Sequence, residues 1–132
     1  MSTRGPISNE AVVGTNTGSH VVDSPQTLVG AHLIYTSDAT VGNRQILLEI
    51  KDAVGTVIMD IHAGAVQAAS LVLDYEFLQG IFRETAFVDS AIQVPVPMGF
   101  VIPVGGSIVV RDSAGIAITD SYTLKLQLEQ VV

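Results

Sequence analysis

The chain has 132 residues, of which 48% are hydrophobic and only 14% charged, where soluble domains carry about 25% charge. Thirteen acidic residues against six basic ones leave a net charge of −7, which repels phosphate backbones and acidic lipid surfaces and argues against nucleic acid and membrane as partners. With no cysteine and no tryptophan, disulfide scaffolds, thiolate chemistry and Cys-ligated zinc drop out, and the best sugar-stacking ring is missing.

One domain is expected at this length. The opening Met1-Ser2-Thr3-Arg4-Gly5-Pro6 leads into no apolar run long enough for a secretory leader. No stretch reaches the ~18 apolar residues of a membrane span, so a soluble protein made in a cytoplasm is expected. Val, Ile and Thr supply 41 residues, and these β-branched side chains favour pleated sheet over helix.

Residues 1–25 are rich in Gly, Ser, Thr and Asn, with isolated apolar pairs at Val12-Val13 and Val21-Val22. They read as an extended N-terminal arm ahead of a β-sandwich domain at 26–132. The arm can dock on its own sandwich or on a neighbouring subunit. Its Arg4, Ile7, Val12, Val13, Val21 and Val22 are the candidate partner contacts.

From residue 27 the period becomes two. Val29, Ala31, Leu33 and Tyr35 share a face, and Ile46, Leu48 and Ile50 alternate with Gln45, Glu49 and Lys51. The same holds for Val57, Met59 and Ile61, for Leu71, Leu73, Tyr75 and Phe77, and most strictly for Tyr122, Leu124, Leu126 and Leu128. Turn chemistry at Asp52-Ala53-Val54-Gly55 and Asp112-Ser113-Ala114-Gly115 separates the segments. The expected strands cover 27–36, 44–51, 56–62, 71–78, 82–88, 92–102, 107–111 and 122–131, with 64–70 a loop or single turn. Eight short strands suit a sandwich or barrel.

The segment Ile92-Gln93-Val94-Pro95-Val96-Pro97-Met98 puts prolines at one parity, deleting backbone donors on one side only. It therefore reads as an edge strand or an extended connection. Pro95 and Pro97 either guard that edge or shape it for a partner.

Catalytic patterns are absent: there is no G-x-S-x-G elbow, H-E-x-x-H pair, phosphate loop or EF-hand spacing. His32 and His62 fall on the polar parity of their strands, and His20 lies in the arm. Asp38 with Asn43, or Asp112 with Asp120, could offer oxygens to calcium, but turn capping is the simpler use. Tyr35, Tyr75 and Tyr122 fall on the apolar parity. No enzyme activity and no cofactor are expected.

The order of these pieces resembles a known family. An arm precedes Leu33-Ile34-Tyr35-Thr36 and Asp38-Ala39-Thr40-Val41-Gly42-Asn43-Arg44; then come the hairpin at Asp52, Val94-Pro95-Val96-Pro97, Ile102-Pro103-Val104-Gly105-Gly106 and Asp120-Ser121-Tyr122-Thr123-Leu124-Lys125-Leu126. This layout is similar to the decoration, or cement, proteins of tailed-bacteriophage heads. The resemblance covers roughly 26–132 and implies an eight-stranded antiparallel jelly roll that forms a homotrimer. It implies a virion location on the outer capsid surface, with the major capsid protein as partner. Its implied role is non-enzymatic: binding the assembled lattice and stabilising the head. Other head or tail components (a fibre base, a tail knob, an adaptor) and a small carbohydrate-binding module are the alternatives.

Overall fold

The computed structural model describes residues 4–15, 19–79, 92–116 and 119–131, with side chains from residue 19 onward. It is all-β, with ten strands among the described residues: β1 (Arg4–Thr15), β2 (Ser19–Val21), β3 (Gln26–Thr36), β4 (Arg44–Lys51), β5 (Val57–Gln67), β6 (Val72–Gln79), β7 (Ile92–Val96), β8 (Val101–Ile102), β9 (Ser107–Asp112) and β10 (Ser121–Val131).

Two sheets face each other. One runs β1-β10-β3-β6-β7, with β8 paired to the start of β3; the other runs β2-β9-β4-β5. All neighbours are antiparallel except β6 and β7, which are parallel. The alternating residues close a single core: Leu33, Tyr35, Tyr75, Phe77, Leu124 and Leu128 from the first sheet pack with Ile46, Leu48, Ile50, Ile108 and Val110 from the second. Each such side chain contributes about 1.5–3 kcal/mol by leaving water.

Four expectations are sharpened or changed. Of the two dockings open to the N-terminal arm, residues 4–15 take the one on their own sandwich: they form β1, an edge strand laddered to β10 from Arg4↔Val131 to Thr15↔Ser121. Ser19–Val21 pairs with β9 in the other sheet, and strand pairing stops after Val21 and resumes in the first sheet at Gln26. The reason is that β10 and β9 each have an open edge, and an extended segment satisfies its backbone by adding to one. In β3 the ladder skips one residue between Gly30 and Leu28. Leu28 therefore takes the buried position expected of Val29, which is only half-buried.

Next, β5 runs on to Gln67 through the stretch expected as a loop. Gly64, at φ 76°, supplies the bend that lets it continue, with Ala63, Gly64 and Ala65 opposite Ile46 alone. Finally, the segment 92–102 is broken by a turn after Val96, leaving β7 and the two-residue β8. The expected strand at 82–88 lies outside the described residues.

Candidate interaction surface

The sandwich has two chemically different ends. At the first, the loop 37–43 between β3 and β4 meets the segment leading into β10. Arg44 is fully buried there, and all five of its guanidinium hydrogens are used. Nε donates to Asp120 Oδ2 at 3.0 Å, Nη1 to the carbonyls of Thr40 (2.8 Å) and Gly42 (2.7 Å), and Nη2 to Asp38 Oδ1 (2.6 Å) and Asp120 Oδ1 (3.2 Å). Asp120, equally buried, also accepts from the Tyr35 hydroxyl at 2.9 Å and the Asp38 amide at 2.8 Å.

These bonds set the ionisation of the cluster. Hydrogen bonds from the Thr119 hydroxyl and then the Thr40 amide hold the Asp38 carboxyl well below the usual carboxylate range. Burial, then the bond to Asp120, pushes the Tyr35 hydroxyl far up. Beside this cluster the buried Gln67 amide donates to the carbonyls of Tyr35 (2.9 Å) and Leu71 (3.0 Å) and accepts from the Tyr75 hydroxyl (2.9 Å). Asp112 caps its own turn, accepting from the amides of Gln45, Ala114 and Ile116. The carboxylates considered as calcium ligands are thus engaged by the protein itself. Among the described residues no three His, Asp or Glu side chains group as a metal site.

The second end carries the turns 52–56, 97–100 and 103–106. Asp52 Oδ1 accepts the Val54 and Thr56 amides at 3.1 and 2.9 Å. Val22 N donates to the Gly106 carbonyl at 2.9 Å, and Gly105 N to the Val22 carbonyl at 2.8 Å. Gly106 is needed for this approach, since a Cβ there would sit 2.7 Å from the Lys51 carbonyl. A Cβ on Gly105 would sit 3.0 Å from Ala53 Cβ, so the turns 52–56 and 103–106 are neighbours. On this pinned backbone stand exposed apolar side chains: Val54 (86% exposed), Met98 (73%), Val21 (60%) and Val104 (56%), with Val57 and Val101 beside them. The opposite end and its flanks expose Val41, Val66, Leu71 and Val72, but around a charged lock. Asp23 and Asp52 border the apolar end, and Lys51, 3.4 Å from Glu49, is its neighbouring cation. Rigid backbone presenting apolar side chains to solvent is the make-up of a binding surface.

The residues singled out from sequence divide. Val22 is 1% exposed and belongs to the core, which removes it from the partner surface: its backbone is clamped between Gly105 and Gly106, and its side chain turns inward. Val21 joins the apolar end. Pro95 is half-buried in β7, the last strand of its sheet in the described order, and Pro97 is exposed in the turn that follows. For Arg4, Ile7, Val12 and Val13 the backbone lies in β1, with Val12 opposite Leu124 and Val13 opposite Thr123; their side chains lie outside the described part. His32 stands 3.5 Å from Asp74 on the outer face of the first sheet. Arg44 was not singled out; its proximity to Asp38 in the chain was visible, but Asp120 is far away in sequence. Val54 and Val104 were legible only as turn residues.

No family model and no curated protein matches the chain. A solved structure, "Structure of infectious bursal disease virus Gx strain", is similar to it at 14% identity and a TM-score of 0.35. The match covers 98% of this chain and 30% of that one, a likeness too distant to assign a role.

Proposed function

We propose that this protein is a non-enzymatic virion structural subunit, a capsid cement or decoration protein of the tailed-phage type that binds the assembled major capsid lattice and stabilises the head. The observation that carries the reading is the apolar end: Val54 and Val104 exposed on turns held by hydrogen bonds, with Val21 of β2 and Met98 exposed at the same end, in a protein whose described polar clusters bond largely within themselves. A surface prepared for contact suits a subunit that works by adhesion. Strand order supports the finer fold reading. The antiparallel set β1-β10-β3-β6 facing β2-β9-β4-β5 follows the wrapping of a jelly roll, with β7 and β8 as additions. Homotrimer formation on the outer capsid surface completes the proposal.

The mechanism is mass action. A subunit that binds the expanded lattice and not its free subunits stabilises the lattice by RT ln(1 + [L]/Kd), about 2.7 kcal/mol per site at a concentration a hundred times Kd. The test mixes the full chain with purified expanded shells, unexpanded shells and free capsid subunits. Saturable binding to expanded shells with a raised melting temperature is expected; equal binding to all three, or to none, overturns the proposal. Val54→Asp combined with Val104→Asp should abolish binding while leaving the circular dichroism unchanged.

A further inference from the structure

Taken as the attachment surface proposed above, the apolar end carries a charge pattern that narrows what docks on it. The turn 103–106 is wedged between two neighbours. On one side Gly105 N donates to the Val22 carbonyl at 2.8 Å and Val22 N to the Gly106 carbonyl at 2.9 Å. On the other, a Cβ on Gly106 would sit 2.7 Å from the Lys51 carbonyl, and one on Gly105 would sit 3.0 Å from Ala53 Cβ. Asp23 directly follows the first contact in the chain, and Asp52 lies within the second. Val104 therefore stands between two carboxylates, with Val21 on the Asp23 side and Val54 on the Asp52 side, and all three valines are more than half exposed.

Among the described residues neither carboxylate is met by a cation. Asp23 is exposed and makes no ion pair, and Asp52 uses Oδ1 only to accept the amides of its own turn. The neighbouring cation is engaged elsewhere: Lys51 lies 3.4 Å from Glu49, and Arg111 donates to the same carboxylate at 2.9 Å. Glu49, only 6% exposed, thus holds two basic side chains away from the apolar end. β2 and β4 both flank β9, so the two free carboxylates are set about 10 Å apart across the sheet, too far for one cation to meet both.

We infer that the segment docking on this end is an apolar stretch with a Lys or Arg on each flank, its apolar part covering Val21, Val54 and Val104 and its cations meeting Asp23 and Asp52. The valines supply the adhesion. The carboxylates supply the choice of partner, because a segment with acidic flanks would bring like charges together at both edges.

The test uses the full chain and two synthetic peptides with the same centre of leucines and valines, one flanked by lysines and the other by glutamates. The lysine peptide should bind at least about tenfold more tightly at low salt and lose most of that margin at about 1 M, where screening is complete within about 3 Å. Asp23→Asn with Asp52→Asn removes both charges and keeps the oxygen that caps the turn 52–56. It should leave unfolding unchanged, weaken lysine-peptide binding about threefold to tenfold, and flatten its salt dependence, a signature that structural damage does not give. Expanded shells are the second arm. Shell binding that weakens with salt and in the double variant supports the inference; shell binding indifferent to both overturns it and leaves the capsid reading in place. No shell binding by the unaltered chain, with the lysine preference intact, strikes the capsid reading and supports the charge pattern. Equal binding of the two peptides, or binding of neither, overturns the inference.

Discussion

At one end of the sandwich the loop 37–43 closes over the guanidinium of Arg44; at the other the loop 52–56 closes only over its own Asp52. Both loops are held by hydrogen bonds and each exposes a valine, Val41 and Val54, yet they treat charge oppositely. The first end places its charges inside, where the five guanidinium bonds are met by both Asp120 oxygens, Asp38 Oδ1 and the carbonyls of Thr40 and Gly42. The second keeps valines and a methionine outside. Arg44, Asp112 and Asp120, buried at or beside the first end, are charges withdrawn from solvent in a chain that has few to spare. What remains outside at the apolar end is short of cations, so a partner that meets it is best matched by apolar side chains flanked by basic ones.

The division between the ends can be broken, starting from the largest effect. Arg44→Met leaves Asp120 buried without its counter-ion and should cost about 3–5 kcal/mol in urea unfolding; a loss below about 1 kcal/mol would mean that the charged end is not what holds the loops. Tyr35→Phe removes a single bond to the Asp120 carboxylate and should cost about 1.5–3 kcal/mol, since a bond to a charged acceptor is worth that much.

The pH dependence should be two-sided. Asp38 is held below its unfolded value, so its contribution is complete above about pH 4 and is lost as the pH falls toward its folded value. Tyr35 and Tyr75 are raised, both chiefly by burial, so their contribution is complete below about pH 10 and is lost as the pH climbs toward their folded values. A melting temperature that is flat from about pH 5 to 9 and falls on both sides is expected; a steep slope within that range would contradict the reading. The smallest effect on stability belongs to the apolar end, where Val54→Asp should change unfolding by no more than about 0.5 kcal/mol. If that variant is instead strongly destabilised, Val54 is a packing residue and the contrast between the ends fails.

The strands were legible where one face is buried and the other wet. Arg44–Lys51 was read residue for residue, and Ser121–Val131 to within one residue, because a two-residue period is imposed by burial itself. The reading failed where backbone events changed the period. Val29 lost its core place to the irregularity at Gly30, and Gly64 carried β5 through what composition suggested was a loop. For the N-terminal segment both dockings stayed open, because polar composition argues against a self-sufficient core, not against joining a sheet that already exists. Of the candidate surface, the pieces were visible but not their assembly: Val21 was singled out, while Val54, Met98 and Val104 lie on separate turns and meet only through the chain's return. The Arg44 lock was hidden for the same reason, since Asp120 is 76 residues further on.

The chain's three tyrosines, in the absence of tryptophan, are all buried. The rings of Tyr35 and Tyr122 are stacked at 6.3 Å and 5°, and the hydroxyls of Tyr35 and Tyr75 bond inside the protein. Tyrosine emission and the tyrosine bands of near-ultraviolet dichroism therefore come from the interior, toward the charged end. An assembly event at Val54 should leave the tyrosine signal unchanged, whereas any loosening of the Arg44 lock will be seen, so a single spectrum separates attachment from unfolding without a label.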